Sequence, residues 1–463
     1  MATRKDLLKA QSFTSRRMIA AFVDRDPDDP TPPLRRIGTA SFVSVLVGVV
    51  LLAGTTLLGL LGGGTANDSW KQEQNVILSD TQSGSLFVYL NEKLVPVADV
   101  ASARLLAAGE NPAGQPRVIE VKTEALRGVA QEPMQGIPGA PRQLPAAKNL
   151  QSYPVRLCSS APQSGNRRYL TLEFGAEAQS SDDFGFVARH STGMEYLIYG
   201  GRTHRLYAPP GQRSALVPNL PTVEPNDSWI AALPVGEPIM PPEIPNLGAN
   251  SGNGYKIGAM AMVEDGDNSR YYVNLADGFS RISYLDMRAL QERHRTMSEE
   301  PERLKDTDVV RLASTSTPTF STESIPMNEP KAPPGFTTSL GDVSVCATFR
   351  EESPGRVSLS VDQPTPEIPA NSPAPLYQYV DKVTLPTLSG ALLTNSDAVT
   401  DAGASTLLLN GRGYSIPTIG DRRALGYGDV TPLQVPGGLI NLLPPGLTIP
   451  GNALTRTMLV GGE

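Results

Sequence analysis

One uncharged stretch dominates the hydrophobic pattern of the N-terminal region. Residues Ile37 to Leu61, "IGTASFVSVLVGVVLLAGTTLLGLL", contain no charged side chain, and none follows until Asp68. A helix of this length rises about 37 Å, more than the ~30 Å hydrocarbon core of a bilayer. The pattern therefore predicts one transmembrane helix over 37–61. The run exceeds the apolar core of a signal peptide and has 36 residues ahead of it, which argues against a cleaved leader. Residues 1–36 are expected to form a cytoplasmic amphipathic helix and a linker. Leu8, Ser12, Ser15, Ile19 and Phe22 share one face at helical spacing, and Pro27 and Pro30 end the helix. Such a helix lies on the inner leaflet or docks on a partner, or else stays a solvated tail.

Beyond the span the period changes from helical to strand-like. Four stretches follow one plan: "LFVYLNEKLVPVADVASARLL" from Leu86, "YLIYGGRTHRLYAPPGQRSAL" from Tyr196, "YYVNLADGFSRISYLDMRAL" from Tyr271 and "TLLLNGRGYSIPTIGDRRAL" from Thr406. Each reads as a short apolar strand, a turn, a second strand and a helix closing on leucine. From Leu94, His204, Phe279 and Tyr414 to the closing Leu105, Leu216, Leu290 and Leu425 the separations are 11, 12, 11 and 11. Turn residues are assigned to Asn91, Gly201, Gly278, Gly411 and Gly413. Gly278 and Gly413 are placed at positive φ, which glycine adopts without a steric penalty. Asp99, Asp286 and Asp421 are read as helix N-caps.

The predicted fold class is a bitopic membrane protein. It has one N-terminal transmembrane helix and an elongated α+β, β-rich extracytoplasmic domain over 62–463. That domain holds four hairpin–helix repeats near 84–108, 194–218, 269–293 and 404–428. A central β-rich region falls at about 140–190 and 310–365. "DQPTPEIPANSPAP" reads as a semi-rigid linker before the fourth repeat.

Charge sets the orientation. Residues 1–36 hold eight Lys/Arg against five Asp/Glu, while the remainder of the 463 residues holds 32 against 42. Arg16, Arg17, Arg35 and Arg36 precede the span, so the positive-inside rule puts the N-terminus in the cytoplasm and the main body outside. An acidic main body argues against nucleic acid as its partner, because phosphate binding needs clustered cations. The 42 prolines and 43 glycines favour extensive connecting structure.

Little in the sequence announces chemistry. "NGRG" at Asn410–Gly413 resembles the start of a phosphate loop, but a strand follows it where such a loop needs a helix N-terminus. No Gly-Lys dipeptide occurs, so a Walker A loop is absent. His190 and His294 read as surface and His204 as a packed residue of the second repeat. No metal or nucleotide site and no cofactor are expected. The only two cysteines, Cys158 and Cys346, lie 188 residues apart. They fit no CxxC motif. In an oxidising compartment they would form a disulfide, and otherwise they are two buried thiols.

The order of these features resembles the EccB family, the membrane core component of the type VII (ESX) secretion system of actinobacteria. The resemblance rests on "SFTSRRMIAAFVDRDP" ahead of the apolar run, "LFVYLNEKLVPVADVASARLLA", "MQGIPGAP", one cysteine on each side of the centre, "GRGYSIP" with "LGYG", and "LINLLPPG". It covers nearly the whole chain. It implies a scaffold subunit of the inner (plasma) membrane, anchoring a protein-export machine. The implied partners are a channel-like subunit, an FtsK-like motor ATPase, a further membrane component, membrane lipid and other copies in a higher oligomer. The resemblance also implies that Cys158 and Cys346 are bonded to each other. Two alternatives remain: a cell-wall-binding module of the same complex, and a nucleotide hydrolase, since some relatives carry an ATPase label.

Overall fold

A computed structural model describes residues 3–23, 40–52, 68–109, 114–160, 168–175, 184–207, 216–266, 268–293, 300–315, 325, 327–334, 343–352, 355–362, 379–398 and 403–449. The chain divides into two compact units. One comprises Met1–Gln74, Asp80–Gly84 and Glu120–Val129, and the other Asn75–Ser79, Ser85–Ile119 and Ala130–Glu463.

In the first unit, helix α1 (Arg4–Val23) opens with the Asp6 carboxylate accepting from the Thr3 N–H at 3.1 Å. Arg16 and Arg17 lie on α1, and the Arg17 guanidinium stands 5.4 Å over the Phe13 ring. Arg35 and Arg36 lie outside the described residues. A second helix, α2, covers 40–52. This corrects the expected bitopic architecture: among the described residues no helix is long and apolar enough to cross a membrane. At 1.5 Å per residue the described part of α2 rises about 20 Å, against the ~30 Å a bilayer core requires. The same unit holds the buried Trp70 on a 3-10 turn (Asp68–Gln72).

One construction recurs along the chain. β1 (Val76–Asp80), β2 (Leu86–Leu90) and β3 (Lys93–Val97) lead into α3 (Val100–Ala108), β4 (Val118–Val121) and α4 (Thr123–Leu126), with sheet order β3-β2-β1-β4. After β5 (Val155–Ser160) and β6 (Tyr169–Phe174), the plan returns in β7 (Phe186–Arg189), β8 (Glu195–Tyr199), β9 (Arg202–Arg205), β10 (Thr222–Val223) and α5 (Asp227–Ala231). It returns again in β11 (Met260–Asp265), β12 (Asn268–Asn274), β13 (Phe279–Ile282), α6 (Tyr284–Arg293), β14 (Glu302–Arg303) and α7 (Asp306–Arg311). After β15 (Ser344–Phe349), β16 (Val357–Asp362) and β17 (Lys382–Thr384), the fourth copy runs β18 (Ala391–Asn395), β19 (Ser405–Leu409), β20 (Arg412–Ile416), α8 (Ile419–Ala424), β21 (Leu433–Val435), α9 (Gly437–Asn441) and β22 (Pro445–Thr448).

In each copy three antiparallel strands form a meander. A short strand then returns beside the first of them, parallel where β10 meets β7, β14 meets β11 and β21 meets β18. The segment after the last helix runs parallel along the opposite edge, pairing Gln131 with Leu94, Val235 with Thr203, Ala313 with Phe279 and Pro445 with Gly413. The recurring element is thus larger than the hairpin and helix read from sequence. In the second copy the stretch after β9, 208–215, lies outside the described residues.

The turns also differ from expectation. Asn91–Glu92, Gly200–Gly201 and Asn410–Gly411 are two-residue turns with positive φ at both positions. This is the type I′ geometry that matches the right-handed twist of a hairpin. Gly278 closes a longer loop at φ 143°, whereas Gly413 is absent from the positive-φ set and sits inside β20. Counting back from Tyr414 as from Phe279 placed Gly413 wrongly, because the third loop is longer than the fourth.

The fifth sheet has the order β16-β15-β5-β6-β17. Its strands fall at 155–174, 344–362 and 382–384, so the expected central region is corrected at both ends: β7 belongs to the second copy and α7 to the third. Three hydrophobic cores link the parts. α3 of the first copy packs with the fourth through Leu105, Leu407, Ile416, Leu425 and Tyr427. The fourth and second copies pack with the central sheet in one core, which holds Leu393 and Leu439 of the fourth together with Phe186 and Trp229 of the second. The second and third share Leu197, Leu216, Val273, Ile282 and Leu290. The second and fourth copies also meet directly, since a Cβ on Gly438 of α9 would lie 2.2 Å from the Ala231 carbonyl oxygen of α5.

Candidate functional site

Asn410 and Gly411 can both adopt positive φ, Gly without a Cβ and Asn through its short polar side chain. Their turn lets β19 reverse into β20, with Leu409 paired to Arg412. Beside it opens a cavity of about 520 Å³, lined by residues 143–146, 149, 383, 385–389 and 409–411. Three segments form its walls. The first, around the 3-10 turn Ala147–Asn149, is fixed by Gln151 N–H donating to the Gly390 carbonyl at 2.7 Å and by the Tyr427 hydroxyl donating to the Pro145 carbonyl at 2.9 Å. The second is the turn Pro386–Ser389, closed by Ser389 N–H to the Pro386 carbonyl at 3.2 Å. The hairpin turn itself is the third. Gly390 permits this assembly, since a Cβ there would lie 2.8 Å from the Leu408 carbonyl oxygen.

Among the described residues, none that lines this cavity is charged. A phosphate cradle needs converging backbone N–H groups with a helix dipole, Lys or a metal beside them. Here the Gly413 N–H is already committed to the Pro444 carbonyl at 2.9 Å, and the Arg412 guanidinium reaches the Pro445 carbonyl at 3.4 Å. Sequence reasoning found Asn410 and Gly411 but missed Gln143–Asn149 and Pro386–Ser389, which only the fold brings to them. The available signal was "LPTLSG", a proline turn with a leucine where glycine is usual.

The other candidate residues are structural. Cys158 and Cys346 are joined in a disulfide between directly opposed positions of β5 and β15. Gly201 makes a close approach as well as a turn: a Cβ on it would lie 2.4 Å from the Val357 carbonyl oxygen, and Val357 N–H donates to the Gly201 carbonyl at 3.1 Å. His204 is fully buried, its Nδ1 2.9 Å from the Glu237 carbonyl oxygen and its ring against Gly236. Burial pulls its pKa below the ordinary histidine value, partly offset by its bond to the Glu237 carbonyl. His190 Nδ1 accepts from the Thr192 N–H at 3.1 Å, and its Nε2 stands 3.7 Å from Asp227. Ser191 donates to Asp227 and not to the imidazole. That cluster ties the β7–β8 turn to the start of α5 without forming a serine–histidine pair. His294 lies outside the described residues. Among the described residues no group of three His, Cys, Asp or Glu could hold a metal ion.

Comparison with known proteins agrees with this architecture. The family described as "Type VII secretion system ESX-1, transport TM domain B" matches residues 1–457. The ESX-2 secretion system ATPase EccB2 of Mycobacterium tuberculosis (strain ATCC 25618 / H37Rv) is 28% identical over 263 residues, 53% of this chain and 50% of the relative. The ESX-1 secretion system ATPase EccB1 of the same strain is 25% identical over 332 residues, 67% of this chain and 66% of the relative. The chain thus spans about half the length of the first of these relatives. Among solved structures, a chain of an intact ESX-5 inner membrane complex superposes with a TM-score of 0.59 at 22% identity, covering 100% of this chain and 97% of that one. A chain of the EccB3 dimer from the ESX-3 core complex gives 0.61 at 20%, covering 82% and 100%. A chain of the periplasmic assembly from the ESX-5 inner membrane complex gives 0.57 at 20%, covering 84% and 95%. At these identities the structures speak for the fold, and the family match over nearly the whole sequence makes this chain a member of the EccB family of type VII secretion.

Proposed function

We propose that the chain is a scaffold subunit of a type VII secretion inner-membrane complex, with its β-rich body on the extracytoplasmic side. The observation that carries this reading is the chained packing of the copies: one after another they share cores, and the α3 face of the first is completed by the fourth. Its residues present surfaces rather than a reaction centre. The disulfide fits an oxidising compartment. The partners are other membrane subunits of such a complex and further copies of this chain, in keeping with the assemblies in which similar folds were solved.

The chain itself is not the motor in this reading, although its relatives are named ATPases. The cavity beside Asn410 offers no charge to a triphosphate. Affinity purification of the tagged full-length chain from its native membranes tests the proposal. Stoichiometric recovery of other membrane subunits and a cytoplasmic ATPase is expected. Recovery of the chain alone, or only with insoluble cell wall, rejects it.

A further inference from the structure

The groove at Asn410 has two properties that the scaffold role leaves unexplained. Leu388 holds φ at 59° and is 72% exposed. It is the third residue of the Pro386–Ser389 turn, in type II geometry, a position that favours glycine because a Cβ is strained there. Its side chain therefore gains little from burial while its backbone bears strain. Strained outliers of this kind persist where a surrounding constraint or a function retains them. The rest of the rim is equally particular. Apolar residues including Leu385 line the groove together with three carboxamide residues, Gln143, Asn149 and Asn410, and the hydroxyl residue Thr387. None of these side chains has a hydrogen-bond partner among the described residues.

A carboxamide presents one donor and one acceptor side by side. That pair complements the C=O and N–H of a peptide unit, which an extended chain exposes at regular intervals. The absence of any charged lining residue disfavours a charged ligand, which would lose hydration without gaining an ion pair. The volume lies in the range of ligand sites.

We propose that this groove binds an extended, uncharged polypeptide segment of another protein, with its amides on Gln143, Asn149 and Asn410 and an apolar side chain against Leu388. The inference is independent of the scaffold reading, since peptide capture does not require the complex. The test uses the full-length chain in detergent and an array of terminally capped ten-residue peptides. One half carries only uncharged residues including leucine, the other half the same sequences with Lys and Asp inserted, and a chitin oligosaccharide serves as a separate probe. Saturable binding by members of the uncharged half is expected, weakened tenfold or more by Leu388→Gly and by Asn410→Asp. Leu388→Gly should melt no lower than the parent, because it relieves the turn, so its loss of binding cannot come from unfolding. The proposal is overturned if no uncharged peptide saturates, if Leu388→Gly binds equally well, or if only the oligosaccharide binds.

Discussion

Cys158 and Cys346 face each other across neighbouring antiparallel strands, with Cα atoms 4.1 Å apart and a bond closing 188 residues of sequence. Both are buried, at 3% and 1% exposure, within a sheet whose strands pair for several residues on either side. The bond therefore staples strands that already recognise each other. Replacing both cysteines with alanine is expected to leave the fold intact and to lower its stability by about 2–5 kcal/mol. Urea unfolding of the double variant beside the oxidised parent measures this. An unchanged midpoint would refute it.

The glycines of the turns should rank by what a Cβ would meet. At Gly201 and Gly278, positive φ coincides with backbone atoms 2.4 and 2.3 Å from the added carbon. Alanine at either should destabilise by about 1–3 kcal/mol or more. Gly411 has open space, so only its φ opposes substitution, at roughly 1–2 kcal/mol. At Gly413 φ is no obstacle, but a Cβ would lie 3.1 Å from the Thr406 Cγ2 and 3.2 Å from the Leu443 Cβ, so alanine there should cost about 1 kcal/mol as those neighbours shift. Thermal melts of the four variants should reproduce that order.

His204 predicts a pH dependence. Its folded pKa lies below the unfolded value of about 6.5, because burial disfavours the cation. The unfolded chain then takes up a proton first as pH falls. The stability tied to a neutral His204 is present above about pH 6.5 and declines as pH drops below it, until the folded imidazole also titrates. His204→Phe should flatten this slope even if it lowers stability overall. Denaturation midpoints between pH 7.5 and 5 give the slopes, and equal slopes would defeat the assignment.

Two helices rest on reciprocal caps. Ser283 accepts from the Asp286 N–H at 2.9 Å while donating to its carboxylate at 2.7 Å. Thr418 and Asp421 repeat the arrangement at 3.1 and 2.7 Å. Ser283→Ala and Thr418→Ala should each cost about 0.5–2 kcal/mol, read as shifts in chemical unfolding.

These caps show what was legible in the sequence and what was not. Asp99 caps α3 directly, its carboxylate accepting from the Ser102 N–H. Asp286 and Asp421 looked equivalent, yet each sits three residues inside its helix, and the true caps are Ser283 and Thr418. One-dimensional spacing registers an acidic residue near a helix start but not which end of the capping box it occupies. The Asn-Gly turn was readable because few dipeptides tolerate two positive φ values. The returning strands β10 and β14 have two residues each, too few to show a period. The groove was invisible because its three walls are distant in sequence and carry ordinary neutral residues.

The shared core of the first and fourth copies sets a timetable for synthesis. The Arg104 guanidinium donates to the Leu425 carbonyl across 321 residues of chain. A ribosome makes α3 long before the surface that covers Leu105 exists. Closing so large a loop is slow, and contacts of high sequence separation form late. The first copy must therefore wait with an apolar face uncovered until the fourth copy has emerged. During that interval its exposed apolar face is a surface for a chaperone to cover.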